Sequence, residues 1–159
     1  MKCYFLRHGI AFEPQDWRGS EFDRPLTQEG KEQMQRAAEA IAQMELHFDV
    51  ILSSPLVRAK QTAVFVAQAL QIESRLNEDA RLAPGFDSAS LTAIVGENQD
   101  AASILFVGHE PSLGERIRDL TGARVKFKKG SLALVKIPNP NTLSGILEWL
   151  IPAKVLVLG

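Results

Sequence analysis

Two arginines and two histidines carry the chemistry available to this sequence. Arg7 and His8 follow the apolar run Cys3-Tyr4-Phe5-Leu6 in MKCYFLRHGIA, Arg58 stands in SSPLVRAKQTA, and His109 in VGHEPSLG. A strand entering a core should end in turn residues, yet CYFL ends in two side chains able to hold an anion. The set suits a phosphoryl group. A guanidinium matches phosphate oxygens in a two-pronged, charge-assisted way. Helix N-termini add unpaired N–H groups and a favourable dipole. A neutral imidazole can attack phosphorus, and nearby arginines disfavour its protonated form. His8 is therefore the candidate nucleophile, with His109 as a further donor to the oxygens that carry charge in the transition state. Each residue also has an ordinary reading when taken alone. Arg7 and Arg58 would be surface ion-pair residues, His109 a turn residue, and an isolated RHG a chance match.

The elements that must position these four residues follow from periodicity. Lys2–Leu6 reads as a buried strand and residues 9–26 as a long loop rich in Gly, Pro and charge. Thr27 is a plausible N-cap, and Met34, Ala37, Ala38, Ile41 and Met44 after it fall at helical spacing. Phe48–Leu52 is a second strand; Ser54 as cap and Pro55 at the first helical position then open a helix through LVRAKQTAVFVAQAL. Ile72–Leu76 reads as a third strand, 77–87 as loop and 88–95 as helix. Ser103–Gly108 is a clear buried strand, and 111–121 is helical. SLALVKI and SGILEWL around Pro138–Asn141 form a closing hairpin. The apolar tail after Pro152 reads as an edge strand or as a segment packed on a neighbour. Strands alternating with helices predict a three-layer α/β sandwich with a mostly parallel central sheet flanked by helices. In such a sheet ligands gather beyond the carboxyl ends of the strands, where Arg7, His8, Arg58 and His109 would all arrive.

Bulk properties narrow the function classes. With 159 residues, 45% of them hydrophobic and 23% charged, the chain suits a single globular domain over 1–159. A net charge of −1 does not point to a nucleic-acid or membrane-surface protein. No stretch approaches the roughly 20 apolar residues of a membrane span, and Arg7 and His8 interrupt any apolar leader. The lone cysteine, Cys3, cannot form an internal disulfide, so a cytoplasmic setting is expected. His8, His109 and a carboxylate could ligate zinc, but HExxH and paired CxxC spacings are missing, so no metal or other cofactor is expected. His47, beside Phe48, reads as structural, and GHEPSLG lacks the Lys-Ser/Thr of a phosphate-binding P-loop. Arg124-Val125-Lys126-Phe127-Lys128-Lys129 reads as a solvated loop before a strand in preference to a nucleic-acid patch; a middle reading has it steering an acidic phosphoprotein.

RHG after the first strand, RPLTQEG before the first helix, SSPLVRAKQTA after the second strand and VGHEP after a late strand occur together from Lys2 to about Leu120. In this combination the sequence resembles the histidine phosphatase superfamily, and in particular its short SixA-type branch of phosphohistidine phosphatases. The resemblance implies the phosphoglycerate-mutase-like fold, with His8 as the residue that becomes phosphorylated and Arg7, Arg58 and His109 as its phosphate pocket. It implies a metal-independent phosphatase acting on a phosphohistidine-bearing protein, a histidine-containing phosphotransfer domain being one such partner. A phosphomonoesterase acting on a small phosphorylated metabolite and a phosphate- or phosphohistidine-binding module without turnover are the alternatives. The compact length, without inserted cap segments, favours the SixA-type branch. One departure matters: many members carry a proton-donating Glu just after Arg-Leu, and here that stretch is Arg81-Leu82-Ala83-Pro84-Gly85. Glu21 and Asp23 are the first candidates for an acid, Glu78 and Asp79 the next, each against the plainer reading of a solvated charge.

Overall fold

The computed structural model describes residues 1–158. Its centre is one six-stranded sheet in the order β3-β2-β4-β1-β5-β6. The strands are β1 (Lys2–Arg7), β2 (Val50–Ser53), β3 (Leu76–Glu78), β4 (Ser103–Gly108), β5 (Leu132–Asn139) and β6 (Ser144–Ile151). The first four are mutually parallel, while β5 joins β1 antiparallel and β6 closes the hairpin. This is the mostly parallel sheet the alternation predicts. Helices α1 (Gln28–Gln43), α2 (Val57–Ala69), α3 (Ser88–Glu97), α4 (Ser112–Thr121) and a short α5 (Ala153–Leu156) complete the elements.

The two faces of β1 separate the core into two halves. Tyr4 and Leu6 pack with α1 and α2, through Met34, Ala37, Ala38, Ile41, Ala59, Ala63 and Val66. Cys3 and Phe5 pack with α3 and α4, through Leu91, Ile94, Val95, Leu113 and Ile117. β4, covered on both faces, is buried at all of its positions, as an inner strand of a parallel sheet must be. Each fully buried large side chain contributes roughly 1.5–3 kcal/mol of transfer free energy, which makes the sheet a stiff base for whatever its ends carry.

Local chemistry explains the boundaries. Thr27 Oγ1 accepts the Gly30 N–H at 3.0 Å, and Asp87 caps α3 through the Ser90 N–H. Several expectations shift. Ser54 does not cap α2: the helix starts two residues later than expected, at Val57, with Leu56 at the cap position, and Ser54 Oγ accepts the Leu56 N–H within the preceding turn at 3.2 Å. The third strand runs over Leu76–Glu78 and not over Ile72–Leu76, because the Ile72 N–H returns to the Ala67 carbonyl at 2.9 Å and ends α2. A 3₁₀ turn at Glu73–Arg75 then carries the chain to the sheet edge. The stretch expected as loop, 77–87, therefore holds part of β3 and a further 3₁₀ turn, Ala80–Leu82. As far as Leu158 the tail is not an edge strand. It turns into α5, which buries Ala153 and Leu156 against the α1 layer.

Candidate active site

The parallel register of β1 on β4 brings the two histidines together. Arg7 is level with Gly108, and the His8 N–H donates to the Gly108 carbonyl at 3.1 Å. His8 and His109 therefore leave neighbouring strands at the same height, with ring centroids 5.2 Å apart and planes tilted by 57°. Arg58, on the first turn of α2, is 3% exposed, and His8 and His109 are buried beside it. All four of the residues singled out in the sequence lie at one end of the sheet. A concavity of about 430 Å³, lined by Met1, Lys2, Tyr4, His47 and Lys136 among others, opens at the amino ends of β1 and β4 and holds none of them.

Backbone contacts fix the turn after β1. The Gly9 N–H donates to Thr62 Oγ1 at 3.1 Å, and that hydroxyl donates to the Arg58 carbonyl at 2.8 Å, tying the turn to α2. A Cβ on Gly9 would stand 2.5 Å from Met34 Cγ, so α1 leaves room there for backbone alone. From the other side the Gly130 N–H donates to the Arg7 and His8 carbonyls, both at 3.0 Å, and Arg7 Nη1 donates to the Phe127 carbonyl at 3.0 Å.

These bonds also settle which nitrogen is free on each ring. His8 Nδ1 lies 2.7 Å from the Gly9 carbonyl, an acceptor only, so Nδ1 carries the proton and Nε2 keeps its lone pair. His109 Nε2 lies 2.8 Å from Ser54 Oγ. Ser54 Oγ accepts the Leu56 N–H and, among the described residues, has no acceptor for its own proton other than His109 Nε2, so the hydroxyl donates to that nitrogen and His109 presents N–H at Nδ1. Burial is the first cause that lowers the His8 pKa to about 3, with Arg58, Arg7 and His109 adding to it against the opposing bond to Gly9. His109 falls to about 4, again through burial first and Arg58 next. Both rings are neutral at neutral pH. Arg7 Nε, Arg58 Nε and His109 Nδ1 are buried without a protein partner, three donors on three of the four residues. A nucleophilic nitrogen among fixed donors is the arrangement needed to receive a tetrahedral oxyanion.

The candidate acids divide differently. Glu21 reaches the site: Arg58 donates through Nη2 to Glu21 Oε1 at 2.8 Å and through Nη1 to the Glu21 carbonyl at 2.9 Å. Arg24 binds the same carboxylate, and these partners, Arg24 first, hold the Glu21 pKa at about 2. Glu21 is thus ionised here, an acceptor that orients Arg58. Asp23 stays in its own turn on Ser20 Oγ, Glu78 pairs with Lys60, and Asp79 binds Arg81. Pro84 is exposed in a loop whose Leu82 carbonyl lies over Gly108 and whose Gly85 N–H donates to Ser112 Oγ at 3.2 Å. Sequence reasoning overlooked Thr62 and Glu110 and gave Ser54 only the role of a helix cap. Burial raises the Glu110 carboxyl pKa, with Arg7 opposing, and its Oε1 accepts the Gly114 N–H at 2.6 Å. The Glu-Pro pair at a helix start was the available signal for it. Among the described residues no three His, Cys, Asp or Glu side chains group as metal ligands.

The family model of the histidine phosphatase superfamily (branch 1) matches residues 3–121 of this chain. The chain belongs to the histidine phosphatase superfamily. An uncharacterised Picosynechococcus protein is 36% identical over 138 residues, 83% of this chain and 82% of the relative. Phosphohistidine phosphatase SixA of Escherichia coli is 26% identical over 153 residues, 94% of this chain and 92% of that one. A solved structure of the protein histidine phosphatase SixA complexed with tungstate superposes with a TM-score of 0.87 at 25% identity, covering 97% of this chain and 98% of its own. Within the superfamily the chain is of SixA type, and the sheet and its flanking helices are those of the histidine phosphatase fold.

Proposed function

We propose that this superfamily member is a phosphohistidine phosphatase that works through a phosphorylated His8 and without a metal ion. The observation that carries the reading is the pairing of a free Nε2 on His8 with unpartnered donors on Arg7, Arg58 and His109. In the first step His8 Nε2 attacks phosphorus, and the bond from phosphorus to the substrate's imidazole nitrogen breaks. The leaving ring is protonated at its other nitrogen, so it departs as neutral imidazole. In the second step water attacks phospho-His8, the new P–N bond breaks, and inorganic phosphate leaves with His8 regenerated. Arg7 and Arg58 neutralise the equatorial oxygens throughout, and His109 Nδ1–H donates to one of them. These fixed cations supply the charge that magnesium supplies at other phosphoryl-transfer sites.

Pro84 gives the substrate preference. Expelling an alkoxide needs a proton at the leaving oxygen, and a positioned acid contributes roughly 10²–10⁴-fold to such a step. Glu21 is held ionised by Arg24 and Arg58, so it does not supply that proton. A phosphorylated imidazole needs no such donor, which also agrees with the likeness to SixA. The partner in this reading is a phosphohistidine-bearing protein such as a histidine phosphotransfer domain, in the reducing cytoplasm that the lone buried Cys3 suits.

A panel of substrates tests it. Phosphohistidine should exceed any sugar or serine phosphate in kcat/KM by at least ~10²-fold. Activity should survive chelators and vanish in His8→Ala. A sugar phosphate that matches phosphohistidine would overturn the substrate, and Glu110→Gln and Glu21→Gln would then identify the acid. Loss on chelation, restored by added metal, would overturn the mechanism.

A further inference from the structure

The rim of the site has two unlike lips, one from each layer of the fold. The first is the loop of residues 9–26 on the α2 side. Phe22 follows Glu21, the residue bound to Arg58, and its carbonyl accepts the Val57 N–H at 3.1 Å. The Phe22 side chain is 50% exposed and that of Phe12 37% exposed. Phe12 packs on Trp17 with ring centroids 6.0 Å apart, and Arg24 ties the Phe12 carbonyl to Glu21. Exposed aromatic side chains are enriched at the centres of protein interfaces, and these two stand on the loop that carries Glu21.

The second lip is the segment before β5, on the α4 side. Val125 and Phe127 point into the second core, so Arg124, Lys126 and Lys128 alternate outward and are exposed. Phe127, between the two lysines, gives its carbonyl to Arg7. This basic ribbon therefore runs directly behind a phosphate-binding residue. Among the described residues none of the three cations is paired with a carboxylate. The acids beside the ribbon have other partners: Glu13 pairs with Lys129, and of the two that line a shallow concavity with Arg124, Glu110 accepts the Gly114 N–H and Glu115 lies 3.8 Å from Arg116. In a chain whose net charge is −1, three unpaired cations within five residues make a local positive patch.

We propose that this rim is a docking surface for a protein, gripping the acidic, partly apolar surface around a phosphorylated histidine. The inference rests on the phosphohistidine reading above and adds which surface of this chain holds the protein that carries the phosphohistidine. A single phosphoryl group bound at Arg7 and Arg58 needs neither the ribbon nor the aromatic lip. An acidic protein surface uses both, the cations to steer the encounter and the aromatics to bury contact area.

The test compares a phosphorylated histidine phosphotransfer domain of net negative charge with free phosphohistidine as substrates. Two variants are used, Arg124→Glu/Lys126→Glu/Lys128→Glu and Phe12→Ser/Phe22→Ser. Each should lower kcat/KM for the phosphoprotein at least ~10-fold, mainly through KM, and leave free phosphohistidine within about 2-fold. The ribbon variant should also lose the salt dependence that the wild type shows with the phosphoprotein. Free phosphohistidine turnover reports that each variant is folded, and the ribbon variant stands if the aromatic one is not. Equal loss on both substrates, or no loss on the phosphoprotein, overturns the proposal while leaving the phosphohistidine reading intact. A ribbon variant that changes only the binding of a duplex DNA probe assigns the ribbon to nucleic acid and overturns it likewise. A wild type that hydrolyses an aryl phosphate but no phosphohistidine overturns the reading and the docking proposal together.

Discussion

At the scale of single residues, the site depends on which nitrogen each ring presents and on the fork of each arginine. The Gly9 carbonyl fixes the His8 tautomer, and Ser54 fixes that of His109. Arg58 donates through Nη1 to the Glu21 carbonyl and through Nη2 to its carboxylate, which leaves the buried Nε as the unpartnered donor of the guanidinium. A lysine keeps the charge at this position but not the planar pair of donors. Arg58→Lys should therefore cost on the order of 10² in the rate of His8 phosphorylation, and Arg7→Ala should cost a similar factor. Rapid-quench labelling with substrate measures that step directly. A lysine variant with the wild-type rate would mean that charge alone suffices and that the fork plays no part.

At the scale of elements, close backbone approach decides the geometry. A Cβ on Gly30 would stand 2.0 Å from the Ile10 carbonyl, which accepts the Thr27 N–H at 3.0 Å where the long loop enters α1. The same loop follows His8 directly, so α1, the loop and the nucleophile share one junction. Gly96, on the exposed side of α3, has no atom within 4 Å of a built Cβ. The two glycines should respond oppositely to alanine. Gly30→Ala should destabilise by roughly 1–3 kcal/mol through overpacking, whereas Gly96→Ala should stabilise by about 0.5–1 kcal/mol through helix propensity. Urea midpoints compare them. Equal shifts would show that the α1–loop junction is looser than its geometry implies.

At the scale of the whole molecule, two buried neutral histidines make folding depend on pH. An unfolded histidine binds its proton with a pKa near 6.5, whereas folded His8 and His109 sit at about 3 and about 4. Between these limits the unfolded chain holds more protons than the folded one. Stability is therefore full above about pH 6.5 and falls as pH drops, by up to ~1.4 kcal/mol per pH unit for each ring. The carboxylates with lowered pKa, Glu21 and Asp79 among them, add to the loss only below about pH 4.5. Urea titrations from pH 7 to 5, a window chosen around the ordinary histidine pKa of about 6.5, should show this slope. They should show a shallower one in His8→Ala. An equal slope in that variant would place the acid sensitivity elsewhere. No described helix is long and apolar enough to cross a membrane.

Much of this was legible along the chain because the relevant physics is local. Apolar runs of strand length, helical spacing and the Thr27 cap determined the alternation of elements, and a parallel sheet carries strand ends to one rim. That alone brings Arg7, His8, Arg58 and His109 to one end of the sheet. The boundaries that moved are those where tertiary contacts outweigh propensity: Ile72 ends α2 instead of starting β3, and α5 forms because Leu156 has a core to enter. Only the tertiary structure decided the rest. The β1–β4 register sets the two rings side by side, and Ser54 changes from an expected cap into the partner of His109. Glu21, drawn from a loop without periodicity, becomes the carboxylate on Arg58, and the segment around Phe127 comes to lie behind Arg7. These contacts join residues dozens of positions apart. Residue type alone does not encode them, because they exist only once the packing of two helical layers has fixed where each strand end stops.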